Sequence, residues 1–409
     1  MDVAPSLREI APADRYAPAF SVRIKGVEAD PATKGDVIDL KVRRDLEELS
    51  GFDLTMNNWD DETLTFKHSD TFPIGGRIEI KLGYAETELL VFTGIVKTLS
   101  PSFPDGASPT IAISGVDDME LLKKSKPSET DPKTYHQLAD WQIARQVAER
   151  HKMRFVATED GPVHELVVQK NQDDATFLVE RAKRIDFNCY LMPGDDFGDP
   201  AVLHFDRPSD GRDSAPVRVF QFGYGPGLSA GARRERDRTM PPPPGTATQP
   251  AGMVPNLVSF TPAITLSEQV GKLTVRGWDR RTKKPITYQA DVKDLPGGLD
   301  GKDGGNGPGE AAASLEGRQD MVIDAPVASV EEARFLATSL LRESAYEFIT
   351  ATGRVAGLPE LRPGDNVEIF GVGARFSGSY FVRRVEHSLS SSGFVTEFAG
   401  RRVWSGDRG

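Results

Sequence analysis

The sequence predicts a mixed, mainly β protein in which two related antiparallel β-barrels accompany a small α+β insert. Two observations carry this prediction. Short segments that alternate apolar and polar residues, bounded by glycine and proline, recur in both terminal regions of the chain. The 39 glycines and 29 prolines among 409 residues favour many turns over long helices. Helical spacing of apolar residues is confined to a few segments.

The first β region is predicted over residues 18–123, after a Pro- and Ala-rich N-terminal arm at residues 1–17. Short strands joined by turns over about 100 residues are typical of a sandwich or barrel. The predicted strands are Phe20–Lys25, Asp36–Val42, Gly51–Asn58, Phe72–Gly83, Glu88–Leu99 and Thr110–Val116.

Polar, proline-containing residues 123–134 predict a boundary, and an α+β insert is expected over residues 130–205. Apolar residues at helical spacing predict a helix over Tyr135–Met153. A second helix is expected to begin at Asn171, whose side-chain oxygen suits a helix N-cap. The predicted strands of the insert are Phe155–Val156, Glu165–Gln169, Phe187–Met192 and Ala201–Phe205.

A second β region is divided into residues 206–297, a Gly-rich loop at 298–320, and a closing part at 321–404. Its helix, predicted over Val330–Phe348, has Ser329 and Glu332 at capping-box spacing. The apolar stripe of this helix indicates either packing within the subunit or a subunit interface. The expected strands before it are Val217–Phe222, Ile264–Gly277 and Pro285–Val292, and Leu295–Gly309 is expected to be mobile.

The stretch Gly357–Arg402 predicts a three-stranded antiparallel meander. Pro363-Gly364-Asp365 is a turn signal, because proline restricts φ and glycine tolerates positive φ. The strands that follow alternate in the manner of a half-buried sheet. They are expected at Val367–Phe370, Tyr380–Val385 and Phe394–Ala399.

The two β regions contain similar sequence segments in the same order. This similarity indicates either two copies of one barrel or the general likeness of any two meanders. The parallel segments are Pro73–Gly75 with Pro363–Gly364, Ile78–Ile80 with Val367–Ile369, Phe92–Gly94 with Phe376–Gly378, and Ile95–Ser100 with Val385–Ser390.

Composition excludes several classes of function. The net charge of −11 argues against a general nucleic-acid binder. No apolar run approaches the ~20 residues of a membrane helix, and the N-terminus has no apolar signal-peptide core. The single cysteine, Cys189, cannot form an intrachain disulfide and is expected to be buried and inert. Cytoplasmic synthesis follows as the expectation.

The sequence predicts no catalytic, cofactor-binding or metal site. Gly223–Gly227 lacks the following helix that a dinucleotide site requires, and Arg233–Arg238 is expected to be a solvated loop. Two acidic groups lack the spacing of a calcium loop and are expected to be turns. These groups are Asp195, Asp196 and Asp199, and Asp300, Asp303 and Asn306.

The histidines and paired carboxylates do not form a catalytic pattern either. No histidine has zinc-site spacing, and His387 is expected to be structural. The pairs Asp60–Asp61 and Asp117–Asp118 lack a partner suited to acid–base chemistry. The histidines are His68, His136, His151, His164, His204 and His387.

The C-terminal motifs resemble the signature of the phage late control D family. These are baseplate hub proteins, similar to the hub of T-even phages and to the N-terminal part of VgrG. Gln169, Asn171, Phe177, Leu178 and Ala182 resemble the middle segment of these families. The C-terminal residues that match are Gly357, Pro359, Leu361, Gly364, Val367, Phe376, Gly378, Tyr380, Val382, Val385, His387, Gly393, Thr396 and Phe398.

This resemblance implies tail-tube-like barrels in a non-enzymatic homotrimer of a contractile phage tail or contractile injection system. Such a trimer links a six-fold tail tube to a three-fold spike, and its interface should exceed ~2,000 Å² and follow the barrel edges. The expected partners are the tube protein, a separate spike protein, other baseplate proteins and tape-measure protein, with no membrane insertion. The alternatives are a tail-associated cell-wall hydrolase and a receptor- or carbohydrate-binding protein, although Trp59, Trp141, Trp278 and Trp404 are scattered.

Overall fold

A computed structural model describes residues 17–68, 70–85, 87–128, 130–209, 218–224, 256–267, 269–296, 305–314 and 320–405. Within these residues, thirteen strands form one sheet that runs through both barrels. The predicted mainly β fold with large antiparallel sheets is confirmed.

The first barrel has the strand order β3-β4-β9-β8-β7-β1-β2, and β5 pairs separately with β6. Its core follows from alternation: Phe52, Leu54 and Met56 of β4 are buried, while residues between them face outward. The elements are β1 (Pro18–Ile24), β2 (Val27–Glu28), α1 (Pro31–Gly35), β3 (Val37–Asp45), β4 (Gly51–Asn57), β5 (Trp59–Asp60), β6 (Thr65–Phe66), β7 (Arg77–Tyr84), β8 (Thr87–Ser102) and β9 (Thr110–Asp117).

The insert has its own hydrophobic core between two helices and two small sheets. Strand β10 pairs with β12, and the second sheet has the order β11-β14-β13. The elements are α2 (Met119–Lys123), β10 (Lys133–Ala139), α3 (Asp140–Arg150), β11 (Arg154–Ala157), β12 (Val163–Gln169), α4 (Asp174–Lys183), β13 (Asn188–Met192) and β14 (Val202–Asp206).

Both helix starts predicted in the insert are wrong. The first helix begins at Asp140, because Tyr135 and its neighbours form β10 against β12, and Gln137 has a left-handed φ of 52°. Asn171 is also left-handed, with φ 55°. The second helix is capped instead by Asp173, whose carboxylate accepts from the Thr176 N–H at 2.8 Å.

The second barrel has the order β16-β20-β23-β22-β21-β15, antiparallel except at the parallel pair β15–β21. A three-stranded sheet and two helices are inserted between β16 and β20. The elements are β15 (Val219–Gly223), β16 (Leu257–Ile264), β17 (Lys272–Asp279), β18 (Lys284–Ala290), a 3₁₀ turn (Val292–Asp294), α5 (Gly307–Ser314), β19 (Asp320–Asp324), α6 (Val330–Tyr346), β20 (Ile349–Ala356), β21 (Asn366–Phe370), β22 (Gly378–Ser390) and β23 (Gly393–Arg402).

Helix α6 packs within the subunit. Its buried side chains, including Leu336 and Leu341, share a core with Leu273 and Val275 of β17. The Ser329 hydroxyl accepts from the Glu332 N–H at 3.1 Å, so the predicted cap is present. Of the two interpretations of the apolar stripe, packing within the subunit is the one the geometry supports.

Two sequence expectations for this region need correction. The predicted Gly-rich loop extends into α5, because Gly307–Ser314 is helical and Asn306 accepts from the Gly309 N–H at 2.8 Å. Residues 297–304 lie outside the described residues. The stretch Ile264–Gly277 is not one strand, because it contains the last residue of β16 (Leu257–Ile264) and most of β17 (Lys272–Asp279).

Candidate assembly interface

The two barrels are joined edge to edge by antiparallel pairing of β3 with β22. In this junction Val385 lies opposite Arg44, and His387 lies opposite Val42. The Leu46 N–H extends the ladder by donating to the Arg383 carbonyl at 3.1 Å. A second contact is the Tyr84 hydroxyl, which donates to the Gly357 carbonyl at 2.8 Å. The barrels therefore form one continuous sheet.

The two faces of this junction differ in chemistry. On the core face, Leu40, Val42, Val385 and His387 are fully buried. The opposite face pairs unlike charges, with Arg384 opposite Asp45 and Glu386 opposite Arg43. Cross-strand pairs of opposite charge stabilise a sheet modestly, and burial of the apolar face provides the larger contribution.

The barrels share one turn geometry at corresponding places. In the first barrel the Gly75 N–H donates to the Val96 carbonyl at 2.8 Å, and the Val96 N–H donates to the Gly76 carbonyl at 3.0 Å. In the second barrel Val382 makes the same two hydrogen bonds, with Gly364 at 2.8 Å and Asp365 at 2.9 Å. These bonds make Val96 and Val382 equivalent.

The barrels also share the positions of their bulges. The pairing of β8 with β9 shifts between Val96 and Thr98, and that of β22 with β23 shifts between Val382 and Arg384. A second bulge lies in β3 between residues 37 and 39, and in β16 between residues 257 and 259. Because bulges interrupt a ladder at defined places, two coincident bulges identify β8 with β22 and β3 with β16.

The similarity between the two β regions therefore reflects two related barrels, but half of the residue alignment predicted from the sequence is wrong. Ile78–Ile80 does correspond to Val367–Ile369, since both strands follow the shared turn. Gly94, however, lies opposite Ile78 as Tyr380 lies opposite Val367, so Gly94 corresponds to Tyr380 rather than to Gly378.

Besides β2 and β15, which also lie at the margin of this sheet, two edges have no partner strand among the described residues. Strand β16 pairs only with β20. The end of β8, from Lys97 to Ser102, pairs with β9 on one side, but its other side extends beyond β7. These edges correspond to the two strands that join the barrels within the chain.

A buried ionic cluster holds the insert against α6. His164 lies between two carboxylates, with Nε2 3.0 Å from Asp140 Oδ2 and Nδ1 2.8 Å from Glu332 Oε1. Arg181 completes the cluster as a donor to Asp140. Burial by itself lowers the pKa of His164, but the hydrogen bonds to Asp140 and Glu332 outweigh it and raise that pKa.

The pH dependence of the free energy of unfolding should reflect the raised pKa of His164. Because folding raises the pKa of His164, its contribution to the free energy of unfolding is complete below the unfolded value of about 6.5. The contribution is lost as the pH rises through the folded pKa. Urea midpoints of the native chain should fall over this range relative to those of His164→Asn. Parallel pH profiles for the two proteins would show that folding does not shift the pKa of His164, and would contradict this prediction.

A cavity of about 390 Å³ lies between the insert and α6. Its lining contains no histidine or cysteine. Two of its carboxylates are paired: Asp186 accepts from Arg342 and from Tyr346, each at 2.9 Å, and Asp160 pairs with Arg207. These lining charges hold elements together.

The acidic groups considered from sequence have structural partners. Asp196 pairs with Lys81, and Asp199 accepts from the Asp196 N–H at 3.0 Å. Asp118 pairs with Arg77 at 3.1 Å, and burial raises the pKa of Asp117 to about 7. Within the described ranges, no group of three or more potential ligands could hold a metal ion. Asp300, Asp303 and Arg233–Arg238 lie outside those ranges.

His387 and Cys189 are both buried. The ring of His387 lies 3.0 Å from the Thr396 hydroxyl. Burial, followed by the nearby charge of Arg44, lowers the pKa of His387 to about 3. Burial raises the pKa of the Cys189 thiol. A histidine kept neutral and a thiol kept protonated fill structural positions in their sheets.

The structure aligns with two tail proteins over nearly their whole lengths. A tail protein from Neisseria meningitidis MC58 has a TM-score of 0.65 at 14% identity, covering 95% of this chain and 98% of that chain. The 43 kDa tail protein of prophage MuSo2 from Shewanella oneidensis has a TM-score of 0.63 at 15% identity, covering 94% and 98%. The predicted likeness in fold to tail proteins is therefore confirmed.

A more distant likeness extends to secretion machinery. An Escherichia coli type VI secretion component, described as similar to the bacteriophage T4 tail proteins gp27 and gp5, has a TM-score of 0.52. Its identity is 14%, with 95% of this chain and 79% of that chain covered. No curated protein sequence matches the chain. In the described part of the chain, no helix has the length and apolar character to span a membrane.

The chain therefore has a two-barrel fold similar to that of these tail proteins. The chain belongs to the family described as the Alg8 N-terminal domain, whose sequence profile matches residues 16–195 and 247–391. The two matched ranges include most of both barrels and most of the insert.

Proposed function

We propose that this protein is a structural baseplate hub of a contractile tail or contractile injection system. In this role three copies form a ring that joins a six-fold tail tube to a three-fold spike. The observation that carries the proposal is the equivalence of the two barrels in turn geometry and bulge position. Three chains with two equivalent barrels each present six similar units.

The proposed domain organisation follows the same logic. The first barrel, at residues 18–123, and the second barrel, whose strands lie within residues 219–264 and 349–402 rather than only within the expected 321–404, form the ring, and the insert at 130–205 lies beside it. The proposed partners are further copies of the chain, the tube protein, the spike protein, other baseplate proteins and tape-measure protein. Assembly would follow synthesis in the bacterial cytoplasm. Closed symmetry allows one chain to meet both a six-fold and a three-fold partner.

A non-enzymatic role agrees with the chemistry of the described residues. Their buried histidines, His68, His164 and His387, are committed to structural contacts. The carboxylates Asp140 and Glu332 are hydrogen-bonded to His164 rather than directed into the cavity. We therefore rank the hub above a cell-wall hydrolase.

The mass of the purified protein by light scattering, with and without tube protein, tests this function. We expect a stable species near three times the 44.7 kDa mass of one chain. Class averages in negative-stain electron microscopy should show a ring with six similar lobes. A protein that remains monomeric in the presence of tube protein would contradict the hub. In that case a receptor- or carbohydrate-binding role would become the better proposal.

A further inference from the structure

We propose that β16 of one copy pairs antiparallel with the end of β8 of the next copy, in a register that places Ser100 opposite Ala263. This inference rests on the proposed ring. Within the chain, β3 pairs with β22, and the equivalents of these strands are β16 and β8. Repetition of the same junction between copies would use β16 and the end of β8, two edges that lack a partner among the described strands.

The register follows from the equivalent positions. After the shared bulge, Thr98 corresponds to Arg384, so Ser100 corresponds to Glu386. In the same way, the bulges between Val37 and Asp39 in β3 and between Leu257 and Ser259 in β16 align Asp39 with Ser259. Four residues further along each strand, Ala263 therefore corresponds to Arg43. Glu386 lies opposite Arg43 within the chain. Ser100 should therefore lie opposite Ala263 of the neighbouring copy.

The side chains on the core face of this proposed pairing are all apolar. Leu99 is partly buried against the core of the first barrel, while Phe260 and Ile264 are partly buried against the core of the second. Phe103, directly after β8, is 60% exposed. Pairing would cover these edges just as Val385 and Val42 are covered within the chain. The six side chains are Leu99, Pro101 and Phe103 from one copy, and Phe260, Pro262 and Ile264 from the other.

The side chains on the opposite face are small and uncharged. They are Thr98, Ser100 and Ser102 from β8, and Thr261, Ala263 and Thr265 from β16. Free sheet edges of soluble proteins are commonly protected by charged side chains or by proline. Apart from Lys97 at the bulge, the only such residues on these two edges are Pro101 and Pro262. These edges therefore carry no like charges that would oppose pairing with a second copy.

The prolines determine which backbone groups can form the ladder. The Thr265 N–H donates to the Phe348 carbonyl at 3.0 Å, so by alternation Pro262 and Ile264 direct their backbone groups away from β20. In the proposed register Pro262 meets Pro101, and neither has an N–H. The hydrogen bonds would come from the flanking pairs, Leu99 with Ile264 and Phe103 with Phe260.

Cysteine cross-linking of the full chain tests this register. Ser100 and Ala263 would form a non-hydrogen-bonded pair, in which the side chains approach most closely. The double variant Ser100→Cys/Ala263→Cys should therefore give covalent dimers and ring-closed trimers on mild oxidation. Arg43→Cys/Glu386→Cys occupies the equivalent place within the chain and serves as the positive control. Its disulfide should form within one chain, so no covalent dimer or trimer should appear.

A register control uses Ser100→Cys/Thr261→Cys, which moves one cysteine by two residues, or about 7 Å along the strand. We expect it to cross-link at least about tenfold less, because disulfide geometry tolerates little displacement. The native chain, whose Cys189 is buried, should give no covalent oligomer. The mass of each sample after oxidation is compared with the mass of the same sample before oxidation.

The outcomes separate this inference from the proposed function. A trimer by light scattering that gives no Ser100–Ala263 cross-link would overturn the strand pairing and leave the hub intact. Equal cross-linking by the register control would also overturn it. A monomer at all concentrations would contradict both proposals.

Discussion

Replacing Gly115 with alanine should destabilise the first barrel by about 4 kcal/mol or more, among the largest effects of a single substitution. A Cβ at this position would lie 2.2 Å from the Ile95 carbonyl oxygen and 2.4 Å from the ring of Phe52. One obstacle is backbone of the neighbouring strand β8, which cannot move without breaking its ladder with β7. Urea unfolding, or soluble yield if the variant does not fold, measures the effect.

The second barrel supplies the matched control for this substitution. Gly400 is the equivalent of Gly115, because it lies opposite Val382 just as Gly115 lies opposite Val96. Its added Cβ would lie 3.2 Å from Tyr380 Cβ and 3.4 Å from the Phe381 oxygen. Gly400→Ala should therefore cost only about 1 kcal/mol. Equal losses in the two variants would contradict the argument from close approach.

Replacing Asp140 with alanine should lower the free energy of unfolding by about 3–5 kcal/mol, as is typical when one member of a buried ion pair is removed. Asp140 is fully buried, and its carboxylate accepts from both His164 and Arg181. Without it, two cationic groups would share the single carboxylate of Glu332. Thermal or urea unfolding of the purified variant measures the loss.

The exposed Glu149 on the same helix provides the comparison for Asp140. Glu149→Ala removes one carboxylate from α3 at an exposed position, and its effect should stay within about 0.5 kcal/mol. The variant Asp140→Asn keeps the shape but removes the charge, and it should fall between the two. If all three variants unfold alike, the cluster around His164 contributes little to stability.

Sequence alternation located most strands of the described barrels because burial on one face of a sheet imposes a period of two. The same periodicity explains the errors in register. A slip by two residues leaves every side chain on its original face, so the pattern cannot distinguish Gly378 from Tyr380 as the equivalent of Gly94. The hydrogen bonds of Val96 and Val382 resolve this ambiguity.

Two other errors have equally local causes. Strand β10 carries apolar residues at spacings that also suit a helix, and only its pairing with β12 makes it a strand. Strand β16 was not recognised because Pro262 interrupts its pattern, although the proline lies at a sheet edge where no N–H is needed for pairing with β20.

By itself, the sequence determined the mainly β class, the C-terminal meander, the cap at Ser329 and the resemblance to tail proteins. These features depend on neighbouring residues and on motif spacing. Only the tertiary structure decided that β3 pairs with β22, that the barrels share their bulges and that β16 and the end of β8 each leave one side without a partner among the described strands. Strand pairing joins residues hundreds of positions apart, and a local pattern of burial does not specify which edge meets which.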